Sequence, residues 1–105
     1  MSGVTDTAHV LADFSINPMG CEVSTSKYLR EAIKIVDESG LNYHTHASGT
    51  NIEGKLDEVM IVVRKCIDKT HSMGCPRADT IVKLQTRTDK SKTIRDSMSI
   101  TKSRI

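Results

Sequence analysis

Tryptophan is absent from this chain, phenylalanine occurs once and tyrosine twice, so aromatics make up 3% of 105 residues. A core built almost without rings must rely on Val, Ile, Leu, Ala and Cys, and at this length such a core is thin. Hydrophobic residues are 37% of the chain, which suits one small domain over residues 1–105 and leaves room for added burial against other subunits. Long apolar runs are also missing. The longest, Val59 to Val63, falls far short of the ~20 residues a membrane-spanning helix needs, so no membrane association is expected. Cysteine is sparse and odd in number: Cys21, Cys66 and Cys75 form no Cys-x-x-Cys pair, which argues against a secreted disulfide framework. No amino-terminal apolar run with a basic flank marks a signal peptide, so the expected compartment is the reducing cytoplasm. Charge of one sign is lacking as well, with 15 basic against 13 acidic residues and a net charge of +2. That balance gives no case for a nucleic-acid partner. Basic residues do gather between Lys83 and Arg104, opposed only by Asp89 and Asp96, but no aromatic lies among them to stack on bases. The stretch reads as a solvated helix face.

What is present is periodicity. Residues 1–8 are small and polar and read as a loose end. Val10, Ala12, Phe14 and Ile16 alternate with Leu11, Asp13 and Ser15, the period of a strand, which Asn17-Pro18-Met19-Gly20 is expected to stop. Ser24 can cap a helix whose apolar stripe is Tyr28, Leu29, Ala32, Ile33 and Val36 and which ends at Ser39-Gly40. A second strand follows over 41–47 and a short third over 50–53. A second helix from about Lys55 or Asp57 to Ser72 carries Leu56, Val59, Met60, Val63, Cys66 and Ile67 on one side, and Gly74 closes it. A fourth strand over 79–87 and a short helix capped by Asp89 complete the chain. The order β-α-β-β-α-β is the ferredoxin-like plan, an α+β sandwich of one antiparallel sheet with helices on one face, here with an added C-terminal helix.

Alternation assigns faces. Val10, Ala12, Phe14, Ile16, Tyr43, Thr45, Ile52, Val82 and Leu84 should meet the helices; Asp13, Ser15, His44, His46, Asn51, Glu53, Lys83, Gln85 and Arg87 should point away. The second group mixes histidines, carboxylates and cations, and reads as a wetted face, a face that meets another subunit, or one that holds a small polar ligand. His44 and His46 share a face and could reach one metal, yet no further ligand is required by the spacing. Cys66 falls in the apolar stripe of the second helix; Cys21 and Cys75 fall in turns and are expected to react first with a thiol reagent. Neither has a histidine beside it in sequence, and no catalytic residue is assigned. Gly49-Thr50-Asn51-Ile52-Glu53-Gly54 is neither a P-loop nor a dinucleotide fingerprint. Its bracketing glycines suggest a tight turn that presents a hydroxyl, an amide and a carboxylate.

Taken together, Pro18-Met19-Gly20, Ser24, Ser39-Gly40-Leu41-Asn42-Tyr43, Gly49 to Gly54, Asp57-Glu58-Val59 and Arg87-Thr88-Asp89-Lys90 resemble the YkoF-like thiamine-binding family, over about residues 8–104. The resemblance implies a ferredoxin-like subunit that pairs sheet to sheet and assembles into homotetramers. It also implies a pocket for thiamine or its hydroxymethylpyrimidine part as ligand, with no catalytic apparatus. By motif position Thr50 and Glu53 are the polar contacts; the strand reading adds Ser15, His46 and Arg87 on the same face. No metal or other cofactor is expected. Phe14, Tyr28 and Tyr43 are the only rings available to stack on a pyrimidine, and the face assignment sends Phe14 and Tyr43 into the core. Two alternatives stand beside the binder: an assembly or regulatory protein with a vestigial pocket, and a metal protein using His44 and His46.

Overall fold

The computed structural model describes residues 8–21 and 25–87. The Ser24 cap, the helix expected after Asp89 and residues 1–7 lie outside them. Six elements follow in order: β1 (His9–Met19), α1 (Thr25–Glu38), β2 (Asn42–His46), β3 (Gly49–Lys55), α2 (Leu56–Ser72) and β4 (Arg77–Thr86). The strands form one sheet in the order β2-β3-β1-β4, antiparallel at every junction. Each βαβ unit therefore leaves a gap between its own two strands that a strand of the other unit fills, which is the ferredoxin-like arrangement.

The core lies between the sheet and both helices. Val10, Ala12, Phe14 and Ile52 supply the sheet side, Val36 comes from α1, and Val59, Val62, Val63 and Cys66 come from α2. β-Branched residues are well placed here, because one χ1 rotamer fills each site at little entropic cost. Four apolar residues expected in the buried stripes are exposed instead: Leu29 and Ile33 of α1, Met60 of α2, and Leu84 of β4. Val62 is buried where Met60 was expected, while Val59, Val63 and Cys66 of the expected stripe are buried as read. Ala8, read as part of a loose end, is buried in the core.

β1 runs three residues past its expected end, through Pro18 to Met19. The proline is tolerated because β3 pairs with β1 only as far as Phe14, opposite Thr50. Beyond that point, among the described residues, β1 has a neighbour on one side only, β4, up to the pair Met19 and Arg77. Gly20, at φ 72°, then turns the chain off the sheet. α2 begins at once after β3, with no side-chain cap, and Asp57 and Glu58 in its first turn favour the positive end of the helix dipole.

Candidate ligand-binding site

The expected tight turn at Gly49–Gly54 is not a turn. All six residues belong to β3, and neither glycine has a positive φ; the reversal is made by Ala47-Ser48. The glycines are there for close approach. A Cβ on Gly49 would sit 2.7 Å from the Phe14 carbonyl oxygen and 3.3 Å from both Asp13 Oδ1 and His46 Cε1. With no side chain in the way, His46 of β2 reaches across β3 to β1, where its Nε2–H donates to Asp13 Oδ1 at 2.7 Å. Its Nδ1 accepts the backbone N–H of Ser48 at 3.3 Å, which fixes the tautomer and ties the imidazole to its own hairpin.

Beside this hairpin the structure holds a cavity of about 350 Å³ between α1, the β2–β3 hairpin and the free end of β1. It exists because β3 begins at Gly49 while β1 continues, and Ala32 of α1 is too small to fill the space left over. Phe14, Ile16 and Val36 make its apolar floor, and Leu29 and Ile33 stand at its wall, 46% and 37% exposed. Polar groups come from Asn17, Thr45, Ser48 and Thr50. The volume is at the low end of the ~300–1,000 Å³ typical of small-molecule pockets, and the mixture of apolar wall and few polar groups is what such pockets share. The cavity is on the helix side of the sheet, whereas the sequence reading looked to the opposite face.

The sequence matches the profile of the thiamine-binding protein family over residues 12–102. This chain belongs to that family. It is 38% identical over 86 residues to a UPF0045 protein of Synechocystis, spanning 82% of this chain and 71% of that protein. A UPF0045 protein of Eremothecium gossypii is 35% identical over 98 residues, 92% of this chain and 93% of its own. The crystal structure of a hypothetical protein from Methanocaldococcus jannaschii superposes with a TM-score of 0.81 at 31% identity, covering 90% of this chain and 96% of that one. A Thermotoga maritima structure shares the fold at 18% identity and a TM-score of 0.78, covering 89% of this chain and 98% of that one. That protein's suggested place is in thiamine biosynthesis or salvage.

In this thiamine-binding family member, three of the five residues singled out in sequence, Ser15, His46 and Thr50, come together at the cavity. Glu53 and Arg87 do not line it. Arg87 is exposed just past β4. Glu53 is 6% exposed, on the sheet face away from the helices, with Oε2 3.2 Å from His9 Nε2 and Oε1 accepting from the Asn42 amide. The register puts Asn42 directly opposite Glu53, and His9, paired with Lys55, reaches it diagonally on the same face. Among the described residues no three metal-ligating side chains converge, and the His46 ring is engaged by Asp13 and Ser48. Sequence reasoning missed the helix wall of the cavity. Its signal was the width of the α1 stripe: Leu29 and Ile33 extend it beyond what Tyr28, Ala32 and Val36 need to reach the sheet.

Proposed function

We propose that this protein binds thiamine without catalysing a reaction, taking the aminopyrimidine half into the cavity against Phe14, and that it works as a homotetramer of sheet-to-sheet pairs. The observation that carries the reading is the cavity itself: in a member of the thiamine-binding family, the single phenylalanine of the chain lies in a pocket with Thr50 and His46. Phe14 faces the helices and is buried in the core, yet it is also one of the residues lining the cavity. The Thr45 and Thr50 hydroxyls and the Asn17 amide offer donors and acceptors for the ring's edges. His46, one of the lining residues, is held in place by its hydrogen bond to Asp13. Leu29 and Ile33 gain burial when a ligand covers them, worth up to ~1.5–3 kcal/mol for a whole side chain of this kind.

Titration calorimetry with thiamine and with hydroxymethylpyrimidine tests the binding. Thr50→Val keeps the shape and loses one hydroxyl, so affinity is expected to fall roughly 3- to 10-fold, the equivalent of ~0.5–1.5 kcal/mol. Wild-type protein that binds neither compound would turn the assignment toward the assembly reading, in which the pocket is vestigial. Self-association is supported by Ile81, 69% exposed on the sheet face away from the helices. Light scattering at micromolar concentration is expected to give a multiple of 11.6 kDa, and a monomer alone would overturn this part.

A further inference from the structure

Two thiols meet where neither the fold nor the proposed ligand requires them. The β1–β4 ladder ends at Met19 opposite Arg77. Continued by two residues, the same antiparallel register sets Cys21 opposite Cys75, and their Sγ atoms are 2.8 Å apart although 54 residues separate them. Unbonded sulfurs ordinarily rest farther apart, and a bond of ~2.05 Å requires them to close by less than ~1 Å. The two turns are pinned from several sides. Gly20 packs against Pro76, where even an added Cβ would lie 3.4 Å from Cγ. The Cys75 carbonyl lies 2.8 Å from His71 Nδ1, and Cys75 Sγ lies 3.1 Å from the Arg77 carbonyl oxygen and 3.3 Å from that of Met19. Cys75, expected in sequence to be accessible, is 2% exposed, whereas Cys21 is half-buried. Burial, and then the contact with Cys21, pushes the Cys75 thiol up. The Tyr28 hydroxyl donates to the Met73 carbonyl at 3.5 Å, and the neighbouring Cys21 together with burial pushes it up to about 12. Cys66 stands apart in the core, with Sγ toward the Ala32 carbonyl at 3.7 Å, and burial lifts its thiol to about 11.

We propose that Cys21 and Cys75 form a site of reversible oxidation, closed to a disulfide by a low-molecular-weight disulfide such as glutathione disulfide. The accessible Cys21 thiolate attacks one sulfur of the reagent, forming a mixed disulfide and releasing one thiolate. The Cys75 sulfur then attacks Cys21 Sγ, its proton leaving with the second released thiol. One disulfide is reduced to two thiols, and the Cys21–Cys75 dithiol is oxidised to one disulfide. The division of labour follows from exposure: the reagent reaches Cys21, and Cys75 waits beside it, shielded from forming adducts of its own.

The test incubates the reduced full chain with glutathione disulfide and reads intact mass and free thiols. Three free thiols are expected to fall to one, with the mass lowered by two hydrogens, no glutathione retained, no covalent dimer, and full reversal by dithiothreitol. Cys66→Ser is expected to lose both remaining thiols at the wild-type rate. Cys21→Ser is expected to keep both of its thiols over the same period. A persistent glutathione adduct, a covalent dimer, or three surviving thiols in the wild type would overturn the proposal. Should Cys21→Ser fail to fold, the Cys66→Ser chain still decides it, since survival of its two thiols is equally fatal. None of these readouts depends on thiamine, so failure here and failure of the ligand reading are separate results.

Discussion

Phe14→Leu is expected to leave a folded protein whose affinity for thiamine is lower by at least about 10-fold, while Phe14→Ala is expected to lose about 3–5 kcal/mol of folding stability. The two outcomes differ because this side chain serves two neighbours. It is 4% exposed and belongs to the core cluster with Val36 and Ile52, and it also lines the cavity. Truncation to alanine opens a void in a core that holds no other phenylalanine or tryptophan to rearrange into it. The loss would be a large part of the ~5–15 kcal/mol by which a domain is stable. Leucine restores most of the volume and removes only the flat π-face, and stacking of a heteroaromatic base on an aromatic side chain is worth ~1–3 kcal/mol. Urea denaturation and calorimetry on the two variants separate the roles. Unchanged thiamine affinity in Phe14→Leu would show that the ring is packing and not a platform.

Removing Glu53 should have the opposite profile: stability falls and binding holds. Glu53→Ala deprives both His9 and Asn42 of their acceptor in one step. A hydrogen bond to a charged group contributes ~1.5–3 kcal/mol, and the His9 side chain is 31% exposed, so solvent weakens its share; a loss of about 2 kcal/mol is expected. Thiamine affinity is expected to change by less than about 2-fold once the variant is shown to be folded, because the carboxylate lies on the other side of the sheet from the cavity. A fall of about 10-fold in affinity at unchanged stability would instead return the carboxylate to the ligand, as its place in the Gly-Thr-Asn-Ile-Glu-Gly motif suggests.

The βαββαβ order could be read in the sequence because each strand alternates and each helix has one apolar side. Val10, Ala12, Phe14 and Ile52 fall where period two puts them. Ends were harder. Pro18 reads as a stop, yet a proline stops a strand only where its missing N–H would have met a partner, and that depends on where β3 begins. The glycines of β3 misled for a related reason. A glycine in sequence does not say whether it serves a positive φ or a close approach, and Gly49 serves the second. Of the residues that line the cavity, Ser15 and His46 were named from the strand pattern and Thr50 from its place in the motif. The cavity was not legible, because it is made by what is missing: a side chain at Gly49, bulk at Ala32 and, among the described residues, a strand beside β1 after Phe14. Cys21 and Cys75 were likewise invisible as a pair until the register of β1 with β4 was known.

That register gives the molecule two grades of rigidity. From Val10 to Phe14, β1 is held on both sides; from Ser15 to Met19, among the described residues, it is one half of a two-stranded ribbon with β4. Two-stranded ribbons are marginal by themselves, and backbone groups held by a single neighbour open without unfolding the remainder. Amide hydrogen exchange should therefore be slow through the first half of β1 and faster through the ribbon, with the change falling at Phe14, the floor of the cavity. A ligand seated there would rest on the seam between a stiff half and a soft one, and binding would be felt along the strand as slower exchange from residue 15 to residue 19.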